Sequence, residues 1–169
     1  MGFCYFDSIV VAARWAQAEL EIDRIAIVDW DVHHGNGTQD IAGADPSILF
    51  ASLHQWPFYP GSGGPGEQHE TLLNVPLPAG TSDRAYLDAF AQVEEAVSRF
   101  EPELLLVSAG FDAHADDPLA ELELSARCFR ELAARTRQLA PRVAAVLEGG
   151  YNLETLPDLV EAALDGFSS

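Results

Sequence analysis

Four polar clusters in this sequence carry side chains that bind metal ions or move protons, and each follows an apolar, strand-like run. Arg24-Ile25-Ala26-Ile27-Val28 opens onto Asp29-Trp30-Asp31-Val32-His33-His34-Gly35-Asn36-Gly37, and Ile48-Leu49-Phe50-Ala51 onto Ser52-Leu53-His54. Leu104-Leu105-Leu106-Val107 opens onto Ser108-Ala109-Gly110-Phe111-Asp112-Ala113-His114, and Val143-Ala144-Ala145-Val146-Leu147 onto Glu148-Gly149-Gly150-Tyr151-Asn152. In open α/β sheets ligands bind outside the carboxyl ends of the strands, so the four clusters are expected to converge on one site.

Asp31-Val32-His33 has the form of half a metal site. Residues i and i+2 leaving a strand project to the same side, so one carboxylate and one imidazole can reach one ion. A third ligand must come from elsewhere, and Asp112 beyond the 104–108 strand is the best candidate. Two carboxylates and a neutral imidazole would hold Zn²⁺ and leave positions open for water and a carbonyl oxygen. By itself an Asp-x-His pair serves equally as surface charge beside a structural histidine; the strand-end placement and apolar flanks Trp30 and Val32 favour the metal. Tyr151 follows two glycines, which permit close backbone approach and positive φ. Its hydroxyl could then donate to a developing oxyanion, or its ring could simply pack beside the turn.

The elements expected to position these groups alternate. Helices are expected at 6–20, with Ile9, Ala12, Ala13, Ala16 and Leu20 on one face, at 83–100 after a cap by Ser82 and Asp83, at 125–139 and at 154–166, with a helical turn near 38–42. Strands are expected at 24–29, 48–52, 72–75, 104–108 and 143–147. Continuous apolar strands interleaved with helices indicate a mainly parallel sheet covered by helices on both faces. The Gly-, Pro- and aromatic-rich stretch 54–70 is too long for an ordinary connection and is expected to be functional or lid-like.

The chain has 169 residues, 27 acidic and 9 basic, all nine of them arginine, for a net charge of −18. That field repels phosphate backbones and anionic membranes, so direct nucleic-acid binding and membrane association are not expected. It suits salt adaptation and, secondarily, the attraction of cationic substrates. Cys4 and Cys128 form no CxxC pair and read as reduced thiols of a cytoplasmic protein.

Together the motifs Ala26–Thr38, Val107–His114 with Asp117-Pro118-Leu119, and Leu147–Leu153 closely resemble the zinc-dependent histone deacetylase superfamily. The resemblance is nearest to class II enzymes and their microbial relatives, including acetylpolyamine amidohydrolases. Gly2-Phe3-Cys4-Tyr5-Phe6 and Phe58-Tyr59-Pro60-Gly61 also fit, so the likeness runs along the whole chain as one partial domain of the arginase/deacetylase fold, residues 1–169.

The resemblance implies the following roles. Asp31, His33 and Asp112 match zinc ligands, and Tyr151 the residue that polarises the acetyl carbonyl. Asp29, Asp31, His33, Ser52 and Leu53 match a structural monovalent cation site, usually potassium. Asp29 and Asn36 match groups that orient paired catalytic histidines. Gly2, Phe3, Tyr59, Gly149 and Gly150 match the channel that clasps the acyl-lysine stem. Substrates implied are acetylated lysine peptides or acetylpolyamines.

The family's His-His pair, one member of which removes a proton from water, precedes the Gly-Phe-Cys segment and is not in these 169 residues. His33-His34 cannot replace it, because consecutive residues leave a strand on opposite sides. The chain therefore resembles the family's C-terminal half to two-thirds. As given it is expected to be weakly active or inactive, with a non-catalytic metal- or acyl-lysine-binding relic as the alternative. Asp112-Ala113-His114-Ala115-Asp116 also looks like an arginase-type binuclear motif, but Asp29-x-Asp31-x-x-His34 departs from the aspartate set that family needs. His54 is expected to be structural or loop-fixing, and His69 solvent-exposed.

Overall fold

The computed structural model describes residues 3–169. Five strands, β1 (Ile25–Asp29), β2 (Ile48–Gln55), β3 (Leu72–Leu77), β4 (Leu104–Ala109) and β5 (Val143–Leu147), form one sheet in the order β3-β2-β1-β4-β5. Every pairing is parallel, as the continuous apolar runs require. Five helices connect and cover them: α1 (Ser8–Glu19), α2 (Asn36–Ala42), α3 (Asp83–Phe100), α4 (Ala126–Arg137) and α5 (Leu156–Phe167).

Alternation along β1 divides the core. Ile25 and Ile27 pack with Ile9, Val10, Ala13 and Ala16 of α1 and Ala42 of α2. Ala26 and Val28 face the opposite layer, with Phe90 and Val93 of α3, Phe129 and Leu132 of α4 and Leu159 of α5. Helices thus lie on both faces. The strand order reverses between β1 and β4, and that topological switch point is where a doubly wound sheet opens its binding crevice.

Several expected boundaries shift for identifiable reasons. The first helix starts at Ser8, because Asp7 caps it by accepting the Val10 amide at 3.1 Å. Val10 is buried beside Ile9, Ala13 and Ala16, whereas Leu20, at the C-cap beyond the last turn, is 52% exposed. The turn near 38–42 is a helix from Asn36, and the last two helices are Ala126–Arg137 and Leu156–Phe167. Ser52-Leu53-His54 lies inside β2, which runs on to Gln55 because β3 pairs with it as far as Leu77. β3 includes Pro76, tolerated because the strand is at the sheet edge.

Ser82 holds the N-cap position of α3 but makes no side-chain capping bond. The Asp83 carboxylate instead accepts the amide and hydroxyl of Ser125, at 2.8 and 2.6 Å, tying the starts of α3 and α4 together. β5 is the largest departure. It is apolar throughout, yet Ala144, Ala145 and Leu147 are exposed, although these residues lie on both faces of the strand.

Candidate metal centre and its surround

The chain leaves β1 at Asp29 through a ladder of carboxylate–amide bonds. Asp29 Oδ1 accepts the Asp31 amide at 3.0 Å, and Asp31 Oδ1 accepts the His33 amide at 2.8 Å. These two tight turns put the Asp31 carboxylate and His33 imidazole on one side. Asp112, fully buried beyond the end of β4, accepts the Val32 amide at 2.8 Å and closes the third side. His33 Nδ1 lies 3.2 Å from Asp31 Oδ1 and 3.0 Å from Asp112 Oδ2. One ligand atom from each of Asp31, His33 and Asp112 lies within 4.8 Å of the others.

The glycines of the β5 turn explain the closeness. A Cβ on Gly149 would stand 2.1 Å from Asp112 Oδ2 and 2.6 Å from Asp31 Oδ2. The bare backbone therefore approaches, and the Gly149 amide donates to Asp31 Oδ2 at 2.8 Å. Gly150 adopts φ 143, a conformation that side-chain-bearing residues rarely enter, and so turns the chain toward Tyr151. The Tyr151 amide donates to Asp117 Oδ2 at 2.8 Å, and the Phe3 ring meets the phenol ring edge-on at 5.7 Å.

The electrostatics fit a cation. Burial, then the Asp31 charge, push Asp112 up to about 7. Burial and Asp31 likewise raise Asp29, and burial with Asp31 and Asp7 raises Glu148 to about 6. Burial alone would lower the His33 imidazole, but hydrogen bonds and charges from Asp112 and Asp31 outweigh it and hold the group at about 10. Several carboxylates thus crowd one imidazole, an arrangement that a divalent ion would relieve. The mixed nitrogen–oxygen donor set suits zinc. Tyr151 is pushed up by burial and by the Asp112 and Asp31 charges, so its phenol keeps the proton it would donate.

The aromatic surround comes from the loop after β2. Phe58 stacks on the His33 ring at 5.5 Å and 25°, and Tyr59 meets it edge-on at 6.1 Å. Both Phe3 and Tyr59 are exposed, at 79% and 52%. Gly2 lies outside the described residues. Asp29 and Ser52 are register partners on β1 and β2, and Leu53 follows, buried. Asn36 opens α2 immediately beyond the β1 turn.

His34 is bonded away from the triad, and since residues 31–35 lie beyond β1 in bends and loop, the turn and its partners, rather than strand alternation, set its direction. Its Nε2 donates to Gln39 Oε1 at 2.9 Å and its Nδ1 accepts from Ser62 at 2.8 Å. His54 likewise bonds Ser52 at 2.9 Å and the Gly63 carbonyl at 2.9 Å, with its ring 4.7 Å from that of His34. Burial lowers both imidazoles, that of His54 to about 4 with help from the nearby His34. The pair is therefore neutral and anchors Ser62 and Gly63, which fixes the loop that carries Phe58 and Tyr59. His54 is loop-fixing as expected, and His69 is exposed. His114 Nδ1 accepts the Asp116 amide at 3.2 Å, and neither residue joins the ligand triad.

Phe58, Asp117, Gln39 and Asn74 escaped the reading of roles from sequence. Phe58 and Asp117 stand inside recognisable motifs. Gln39 and Asn74 carry no local signal, because the bond from Asn74 Nδ2 to Gln39 Oε1 (2.8 Å) spans 35 residues.

Comparison with known proteins gives the family and the fold. Residues 1–167 match the family described as Histone deacetylase domain. The chain is 48% identical over 178 residues to the rice (Oryza sativa subsp. japonica) protein named Histone deacetylase 10, chloroplastic, covering 99% of this chain and 40% of that one. It is 40% identical to a probable deacetylase of Archaeoglobus fulgidus, covering 98% of this chain and 50% of that one. The crystal structure of the HDA15 HD domain superposes with a TM-score of 0.92 at 36% identity, over 99% of this chain and 50% of that one. Acetylpolyamine aminohydrolase from Burkholderia pseudomallei gives 0.90 at 33%, over 99% and 51%. The chain belongs to the histone deacetylase family, and it spans about half the length of these relatives.

Proposed function

We propose that the chain carries the metal-and-tyrosine part of a zinc-dependent active site that hydrolyses the acetyl amide of acetyl-lysine or an acetylated polyamine. The convergence of Asp31, His33 and Asp112 beneath the Gly149-Gly150-Tyr151 turn is the observation that carries this reading. Asp31, His33 and Asp112 would hold the ion, and Asp29 with Ser52 and Leu53 would line a structural potassium site behind it. Zinc bound there would polarise the amide carbonyl and acidify a water.

The chain's own residues do the rest. Tyr151 donates its retained proton toward the oxygen on which charge develops, an interaction that strengthens as the tetrahedral species forms. Phe3, Phe58 and Tyr59 supply ring surfaces that clasp an aliphatic stem. The acidic surface favours an amine product or a lysine-rich peptide over an anionic substrate.

Among the described histidines, His34 and His54 are committed to the loop, and His69 and His114 lie outside the triad. No described histidine is then left beside the triad to serve as general base, a contribution of about 10²–10⁴-fold. That observation supports a second reading, in which the chain binds metal or acyl-lysine without turning it over.

Zinc content and hydrolysis of an acetyl-lysine peptide and an acetylated diamine test the proposal. One zinc per chain is expected, with slow turnover that Tyr151→Phe abolishes without loss of zinc. A chain that takes up no zinc contradicts the first reading and the metal-binding form of the second, and zinc with no turnover selects the second.

A further inference from the structure

We infer that Asp117 is the positioning residue for Tyr151; this rests on the reading of Tyr151 as the oxyanion donor. Tyr151 follows a Gly-Gly pair, whose backbone freedom leaves the ring's direction undetermined by the turn itself. On the Gly149 side the turn is fixed. The Gly149 amide donates to Asp31, and the Phe111 amide donates to the Gly149 carbonyl at 2.7 Å. Beyond Gly150 the residue that receives the Tyr151 amide is Asp117, at 2.8 Å.

Asp117 is suited to the task. It is 8% exposed, and its second oxygen accepts the Leu119 amide at 2.9 Å, which fixes its own carboxylate. Asn152 reinforces the same clamp by donating from Nδ2 to the Asp116 carbonyl at 2.9 Å. The clamp joins the loop after β4 to the turn after β5, so the segment that carries Asp112 also aims Tyr151. Charge-assisted bonds of this kind are stronger than neutral ones, and the carboxylate has no competing cation among its recorded contacts. Both Asp117 oxygens are taken by backbone amides, those of Leu119 and Tyr151, so its grip on Tyr151 runs through the backbone, while its charge adds to those that keep the phenol protonated.

The test uses the ¹⁵N-labelled 169-residue chain and amide exchange at named positions. Asp117→Ala is expected to speed exchange at Tyr151 and Leu119 by about tenfold or more, the loss of roughly one hydrogen bond each. Amides of Val32 and Gly149, held by Asp112 and Asp31, should keep their protection. Asp117→Asn, which retains one acceptor oxygen, should fall between and guards against a variant that fails to fold. Unchanged exchange at Tyr151, or equal loss at all four amides in both variants, overturns the inference.

A second readout separates positioning from general support. Acetohydroxamate binding to the zinc-loaded chain should weaken about tenfold in Tyr151→Phe and similarly in Asp117→Ala, with the double variant no weaker than Tyr151→Phe alone. Additive losses would show that Asp117 acts elsewhere and overturn the inference. Unchanged binding in Tyr151→Phe would instead remove the role of Tyr151, while the exchange data still decide the tether.

Discussion

β4 and β5 lie side by side, are both apolar, and both end on glycine turns that present a candidate functional group. Their surroundings differ. Every residue of β4 is buried, whereas Ala144, Ala145 and Leu147 of β5 are exposed and its outer edge has no strand partner among the described residues. The groups they deliver differ in the same way. Asp112 is fully buried, holding the Val32 amide and the His33 ring, while Tyr151 is half-buried and depends on one backbone bond to Asp117 and an edge contact with Phe3. Asp112 is thus set in a closed layer, whereas the phenol is set at an open border.

Asp112→Ala attacks the closed side and should have the largest effect. Zinc measured by elemental analysis should fall from one per chain to none, and the Val32 amide would lose its buried acceptor at a cost of about 1–3 kcal/mol. Retained zinc would remove Asp112 from the ligand set. Next in size is a paired truncation. Leu105→Ala on β4 should cost about 2–5 kcal/mol in denaturant unfolding. Leu147→Ala, on the same face of β5 and 58% exposed, should stay within about 0.5 kcal/mol. Equal costs would mean that β5 is as buried as its neighbour.

The buried side should also respond to acid. His54 has a folded value near 4 against an ordinary 6.5, so the unfolded chain binds the extra proton between those limits. Its stabilising contribution is complete above about pH 6.5 and is lost as pH falls toward 4, by about 3 kcal/mol. The stability of wild type minus that of His54→Gln should therefore decline over that window; a flat difference would mean that the imidazole is not held neutral. The smallest effect belongs to the open border. Unpaired apolar edges invite strand addition, so concentration-dependent association is expected in sedimentation, and Ala145→Lys should lessen it at little cost in stability. Unaltered association would place self-contact elsewhere.

How much of this was legible follows the range of the forces involved. The 83–100 helix and the 143–147 strand were readable to the residue, because amphipathic period and apolar runs are local. Asp83 was readable as a helix-start residue but not as the acceptor for Ser125, 42 positions away. The apolar run 48–52 marks only part of β2, because pairing with β3 carries it on to Gln55. The apolar run of β5 promised burial that its place at the sheet edge does not provide.

Local order alone therefore determined the family likeness, the alternation of elements, and the Asp-x-His pair, which carboxylate–amide turns beyond the end of β1, rather than strand geometry, bring to one side. The tertiary structure decided what lies far apart in sequence: the strand reversal between β1 and β4 that brings Asp112 to Asp31 and His33, the bare Gly149 backbone that lets the β5 turn reach them, and the Asp117 clamp on Tyr151. Side-chain periodicity is set by backbone geometry within a few residues, whereas hydrogen bonds across the sheet ends exist only once parallel strands are in register.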